Sequence, residues 1–296
     1  MNNTARNCLQ ATIKKIEGAY APATIRAYKS NFKFFINFCD ENNETAFPTK
    51  PETVVRYIKN ISSGRLKSSS IKIAVASISA IHRFNSQIDP AQHTDVKIEM
   101  RRMYRTLGRF TKQAYGINKD LLQKMIDSTD NLLRGVRDRA LLYIAYDTMC
   151  RRSELTSMQV EDLFVTKNSI KINLKKSKTD QEHIGQWLHI NKNSFKSIKS
   201  WISQSKITEG KLFRGIKSNK MLNAKLTDGQ INRIYKKYAK LTHQNHKLIS
   251  GHSLRVGASQ DLLKSGTSLA LIMHKGRWTK IDTVMSYTKN LDLAQD

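Results

Sequence analysis

The sequence predicts a mainly α-helical chain of two domains, the second of which carries a small antiparallel β-sheet. Three observations predict it. Apolar residues recur at spacings of three and four along most of the chain. All four prolines fall within the first 90 residues, and residues 162–190 change to an alternating period.

The elements follow in order. From Ala23 to Glu41 the residues Ile25, Tyr28, Phe32, Phe35, Ile36 and Cys39 make one apolar helical face, with Arg26, Lys29 and Lys33 off it. Pro51 sits at a first helical position before Val54, Val55, Tyr57 and Ile58. Ser68, Ser69 and Ser70 are cap candidates for a third helix through Ile71, Val75, Ile78 and Ile81. A fourth helix from Asp95 to Leu107 exposes Arg101, Arg102 and Arg105. The stretch GRFTKQAYGIN (108–118) has two glycines and no sustained period, which places the domain boundary there: residues 1–112 and 113–296. Asn118 is the N-cap candidate of the next helix, and Val136, Ala140, Leu141 and Ile144 face inward on a long helix from Leu132 to Tyr146.

Ile170, Ile172 and Leu174 alternate, as do Leu188 and Ile190 after a polar stretch, so these segments are expected to pair as strands. Helices are expected again at Phe195–Ile202, Thr227–Leu241, His252–Ser265, Ser268–His274 and Ile281–Lys289.

Charge narrows the function. The 296 residues hold 51 Lys and Arg against 24 Asp and Glu, a net charge of +27. Residues 1–115 carry 19 against 8 and the remainder 32 against 16, so both parts are basic. Such an excess repels itself unless a polyanion is nearby, and hydrophobic residues at 39% exclude a merely disordered basic tail. A membrane partner is not expected, because no run of about 18 apolar residues occurs. The first residues, MNNTARNCLQ, lack the apolar core of a signal peptide, and a cytoplasmic location is expected. Cys8, Cys39 and Cys150 contain no C-x-x-C pair and the histidines are dispersed, so no disulfide framework or metal site is expected.

Four stretches of the second domain carry the chemistry: TMCRRSEL (148–155), KKSKTD (175–180), GHSLRVG (251–257) and KGRWTKIDTVMSY (275–287). Singly, Arg151 is an ordinary surface arginine, Trp278 a core aromatic and Tyr287 a packing residue. Together they form an ordered R…K…H-x-x-R…W…Y pattern that resembles the tyrosine recombinases, most closely their Cre-like members. Arg255 lies three residues after His252, Trp278 twenty-three after Arg255, and Tyr287 nine after Trp278. The resemblance covers most of the chain and is weaker in the first domain, where FPTKPETVVRYI and the helix ending in IHR carry it.

The resemblance implies a two-domain DNA clamp, with a helical core-binding bundle and a catalytic domain on opposite sides of a duplex. It also implies a 3′-phosphotyrosyl intermediate on Tyr287, formed and resolved without ATP, metal or other cofactor. The residue types suit that chemistry. A hydroxyl attacking a phosphodiester places charge on the non-bridging oxygens, which fixed donors must stabilise. Arginine matches phosphate oxygens bidentately and stays charged, so Arg151 and Arg255 are the expected clamp. The indole N–H of Trp278 is a donor only. His252 can bind the same phosphate and help take the proton of Tyr287, whose ordinary pKa of about 10 makes it a weak nucleophile. Lys178 matches the family's hairpin lysine and is the expected acid for the leaving 5′-oxygen.

Two departures bear on these assignments. Met149 stands where the family usually has a glycine, and Arg152 directly follows Arg151. Arg151 is preferred because Glu154, three residues on, can hold its guanidinium. Lys175 and Lys176 compete with Lys178. For base readout the candidates are Ser69, Lys72 and Ser77 on the third helix, and Gln230, Asn232 and Arg233 on the helix at 227–241. The implied partner is double-stranded DNA with inverted-repeat target sites, bound by a homotetramer on synapsed DNA and a monomer free in solution. A bacterial, phage or plasmid setting with nucleoid association is expected. Two other readings remain: a type IB topoisomerase-like enzyme, which would share the Arg, Lys and Tyr chemistry but lack the W-T-x…V-M-x-Y block, and a catalytically silent DNA-binding protein on the same fold, which would be expected to have lost one of the six residues.

Overall fold

The computed structural model describes residues 2–109, 113–165, 170–175, 185–218 and 220–288. The chain divides into two compact units, Met1–Lys112 and Gln113–Asp296.

The first unit is a bundle of five helices: α1 (Asn3–Ile16), α2 (Pro22–Glu41), α3 (Pro51–Ser62), α4 (Ser68–Phe84) and α5 (Thr94–Leu107). Phe32, Phe35, Ile36 and Cys39 of α2 bury against Ile71, Ile78 and Ile81 of α4, with Val54 and Ile58 of α3 closing the core. Pro51 begins α3 as its pattern predicts. Helix α4 differs from expectation at its start: Lys67 occupies the N-cap position and no side chain caps the helix. Helix α1 was not expected. Its buried positions are Ala5, Leu9, Thr12 and Ile16, too small and too polar to stand out as an apolar stripe. The buried ring of His82 ties the bundle together. Its Nε2 accepts from the Thr49 N–H at 3.0 Å, and its Nδ1 lies 2.8 Å from the Ile78 carbonyl.

The second unit is built on two nearly encircled helices. Helix α6 (Lys119–Asp127) begins at Asn118, whose Oδ1 accepts from the Leu121 N–H at 2.9 Å. Helix α7 (Leu133–Thr148) follows and is buried on almost every side. The short α8 (Arg152–Ser157) leads into the strands β1 (Leu163–Val165), β2 (Ile170–Leu174) and β3 (Gln186–His189). They form an antiparallel sheet in that order, with Leu163 opposite Ile172 and Ile172 opposite Leu188. Ile172, Leu174 and Leu188 face the core, while Phe164 and Trp187 meet edge to face on the other side.

Helix α9 (Lys192–Ser205) packs on α7, and β4 (Arg214–Lys217) and β5 (Lys220–Lys225) form a second antiparallel pair that the sequence did not disclose. Helix α10 (Asp228–Leu241) precedes α11 (Ser253–Lys264), α12 (Leu269–Gly276) and α13 (Ile281–Thr288). Every residue from Ser253 to Ser259 is buried, so α11 is a second central helix. Gly257 makes that possible. A Cβ there would sit 1.9 Å from the Ile117 carbonyl oxygen, so only a glycine lets α11 lie this close to the segment entering α6.

Candidate active site

The site forms where the C-terminal end of α7 meets the first turn of α11. Met149 ends α7 in the left-handed region (φ 51°), at the position where the sequence departs from a glycine. This reverses the chain, buries Cys150, and delivers Arg151 as the extended residue before α8. Arg151 and Arg152 are therefore not successive residues of one helix but the two sides of a helix start. Glu154 reaches back to Arg151, taking its backbone N–H at 2.8 Å and its Nη1 at 2.7 Å. Arg152 departs the other way. Its side chain lies against Gly251, and its Nη1 is 3.5 Å from the Asp228 carbonyl.

Arg255, buried on α11, reaches the same turn. Its Nη1 donates to the Met149 carbonyl at 2.7 Å, and its Nη2 donates to the carbonyl of Gly276. Burial, then repulsion from Arg151 and Arg277, pushes its pKa down to about 10, so it remains cationic at neutral pH. Its guanidinium lies 4.3 Å over the ring of Trp278, and the Trp278 ring is 5.4 Å from that of Tyr287 on α13. Gly276 allows the indole to close in, since a Cβ there would stand 2.1 Å from it. Gln260 of α11 holds the end of α13 by donating to the Tyr287 carbonyl at 3.0 Å. Arg151, Arg255, Trp278 and Tyr287, dispersed over 137 positions of sequence, thus converge around one turn.

The comparisons with known proteins decide the family. The sequence profile of the phage integrase family matches residues 116–293, more than half of the chain. The chain belongs to the phage integrase family. A Selenomonas ruminantium protein named as an integrase/recombinase XerD homolog is 29% identical over 100% of this chain and 89% of its own length. The Cre recombinase of Escherichia phage P1 is 26% identical over 93% of this chain and 86% of its own. Among solved structures, XerH site-specific recombinase bound to a palindromic difH substrate superposes with a TM-score of 0.66 at 15% identity, over 96% of this chain and 81% of that one. A lambda integrase dimer bound to a COC′ core site gives 0.63 at 12% identity, over 98% and 97%. The expected mainly helical architecture is that of these neighbours, and the protein is a tyrosine site-specific recombinase.

The remaining candidates of this integrase are placed unevenly. His252 is exposed immediately before α11, one turn ahead of Arg255. Lys178 lies outside the described residues, as does Lys176. Lys175 is tied to Asp162 by an ion pair of 2.6 Å. On α4, Ser69 and Lys72 are exposed, but Ser77 is fully buried and its hydroxyl donates to the Ile73 carbonyl at 2.7 Å. Ser77 is therefore not available to read a base: a small hydroxyl that bonds its own helix can face the core at little cost. On α10, Arg233 is exposed and Asn232 half-buried. Gln230 is largely spent on structure, its Oε1 accepting from the Thr227 N–H at 2.7 Å in a capping box.

One residue of the site was missed from sequence. Arg277, beside Trp278, is buried, and its Nη2 donates to Glu154 at 2.9 Å. Within KGRWTK nothing in the sequence distinguishes it from a solvated basic residue. Burial would raise the Glu154 pKa, but Arg277 and then Arg151 outweigh it, and the carboxyl is held below its ordinary value.

Proposed function

We propose that Tyr287 is the nucleophile of a DNA strand-exchange reaction. Its Oη attacks the scissile phosphorus, the bond from phosphorus to the 5′-oxygen breaks, and a 3′-phosphotyrosyl link and a free 5′-hydroxyl result. His252 takes the phenolic proton and Lys178 gives one to the leaving oxygen. Arg151 and Arg255 clamp the non-bridging oxygens, and the Trp278 N–H adds a third donor. The reverse attack by a 5′-hydroxyl rejoins the strand, so the phosphotyrosyl bond keeps the energy that ATP would otherwise supply. The observation that carries this reading is the convergence of Arg151, Arg255, Trp278 and Tyr287 around the Met149 turn.

The substrate is double-stranded DNA with inverted-repeat target sites. Residues 1–112 act as the core-binding domain and residues 113–296 as the catalytic domain. Exposed cations support phosphate contact by each unit: Arg101, Arg102, Arg105 and Arg109 around one groove, and Arg134, Arg233 and Lys237 among the residues lining another. Arg137, in the wall of the second groove, is buried and paired with Asp138. Ser69, Lys72, Asn232 and Arg233 are the residues proposed to meet base edges. The chain is a monomer free in solution, assembles as a tetramer on synapsed sites, and works in the cytoplasm at the nucleoid.

The test uses a duplex recovered by selecting bound sequences from a random library, with a nick placed near its centre to trap the intermediate. The chain is expected to join covalently to one strand without ATP. Binding without any adduct on every nicked position would favour the silent DNA-binding protein. Relaxation of supercoiled plasmid by the monomer, without dependence on paired sites, would favour the topoisomerase-like reading.

A further inference from the structure

Arg277 has more partners than a surface cation needs. Its Nη1 donates to the Thr148 carbonyl at 3.1 Å and to the Lys275 carbonyl at 3.3 Å. Its Nη2 donates to the Met149 carbonyl at 3.2 Å and to Glu154 Oε2 at 2.9 Å. The residue itself sits in the left-handed region (φ 57°) where α12 ends, directly before Trp278. It therefore joins the segment that carries Trp278 and Tyr287 to the turn that carries Arg151.

The electrostatics of the cluster explain why an arginine stands there. Thr148 and Met149 expose carbonyls at the C-terminus of α7, where the helix dipole favours a cation. Glu154 is almost wholly buried and shares its two oxygens between Arg151 and Arg277. A single guanidinium with its planar fork reaches the carbonyls and the carboxylate at once, which an ammonium cannot do. Arg255 donates to the Met149 carbonyl as well, so two arginines fasten the same turn, one from α11 and one from the residue that follows α12.

We propose that Arg277 is a positioning residue of the strand-cleavage reaction, acting on Arg151 through Glu154 and on Trp278 through the chain. It holds the Glu154 carboxylate ionised and in place, and Glu154 in turn fixes the Arg151 guanidinium. It also fixes where Trp278 begins, and so the indole that packs under Arg255 and beside Tyr287. This rests on the reading of Arg151, Trp278 and Tyr287 as the cleavage machinery.

The experiment is single-turnover cleavage of the nicked duplex at saturating protein, as a function of pH, for wild type, Arg277→Lys, Arg277→Met, Glu154→Gln and the double variant Glu154→Gln/Arg277→Met. Arg277→Met is expected to slow cleavage about tenfold or more while duplex affinity stays close to wild type. With the cation gone, the burial that raises the Glu154 pKa is opposed by Arg151 alone, so the acid limb of the rate profile should move to higher pH. Arg277→Lys keeps a charge and is expected to restore much of the limb and only part of the rate. In the Glu154→Gln background the same Arg277 change should cost much less than it does alone, since its route to Arg151 is already cut. A wild-type rate and an unmoved acid limb in the Arg277 variants would overturn the proposal, and so would costs that simply add in the double variant. If Arg277→Met does not fold, the limb and rate of Arg277→Lys decide between the same two outcomes. Absence of an adduct with the wild-type chain would instead sink the function reading, which keeps the two failures apart.

Discussion

The Arg255 guanidinium lies 4.3 Å over the ring of Trp278 while donating hydrogen bonds to carbonyls on both sides, those of Met149 and Gly276. The indole is thus a platform for Arg255, and in the proposed mechanism its N–H also donates to the phosphate. Trp278→Phe keeps an aromatic face and loses the N–H. It is expected to slow single-turnover cleavage on the order of a hundredfold, the usual cost of one fixed donor, with binding little changed. Trp278→Ala should be slower still, because the cation–π support of Arg255, worth about 0.5–2 kcal/mol, is lost too. A Phe variant at the wild-type rate would remove the indole N–H from the mechanism.

The adjacent arginines have separate fates, and kinetics can tell them apart. Arg151 is held by Glu154, whereas Arg152 lies against Gly251 and the start of α10. Arg151→Ala is expected to cost roughly 3–4 kcal/mol of transition-state stabilisation, on the order of 10²–10³ in rate. Arg151→Lys should rescue poorly for want of the bidentate fork. Arg152→Ala should leave the rate at saturation nearly unchanged and weaken binding modestly. The reverse pattern would shift the motif assignment by one residue.

Gly257 gives a stability test independent of DNA. Alanine would gain up to about 1 kcal/mol in helix propensity, yet its Cβ would meet the Ile117 carbonyl oxygen at 1.9 Å. Backbone cannot rotate away as a side chain can, so strain of roughly 1–3 kcal/mol should win. Gly257→Ala is expected to lower the urea midpoint of the second unit, and an unchanged or higher midpoint would contradict the close packing.

His82 predicts a pH dependence in the first unit. Burial holds its pKa below the ordinary 6.5, against the opposing pull of the Ile78 carbonyl and Asp89. The fold therefore takes up the proton less readily than the unfolded chain. The stability this group contributes is complete above 6.5 and declines as pH falls through 6.5 towards the lower native value. Proton NMR of the ring should show a titration midpoint below 6.5, and a midpoint at or above it would contradict the neutral, doubly bonded ring.

Legibility in the sequence followed physical rules that can be traced residue by residue. The α2 stripe from Phe32 to Cys39 was plain because one face is buried and the other is solvated. The α7 and α11 helices were legible in part from their apolar residues, but burial on all sides left little periodicity to show which side meets the site. The candidate site stood out because Arg151, Arg255, Trp278 and Tyr287 belong to ordered motifs. Arg277 did not, since a buried cation and a solvated one are written with the same letter. Ser77 failed for the converse reason, as its hydroxyl is satisfied within its own helix. Gln230 was a missed inference: threonine followed three residues later by glutamine already spells a helix cap.

In the proposed reaction the hydroxyl of Tyr287 becomes covalently joined to a 3′-phosphate of DNA. Protease digestion of the adduct trapped on the nicked duplex, followed by mass spectrometry, measures it directly. The expected result is one modified peptide, within the segment Ile281–Thr288, bearing the nucleotide on Tyr287, and no adduct from Tyr287→Phe although that variant still binds the duplex. An adduct mapped to any other residue, or one that persists in Tyr287→Phe, would contradict it.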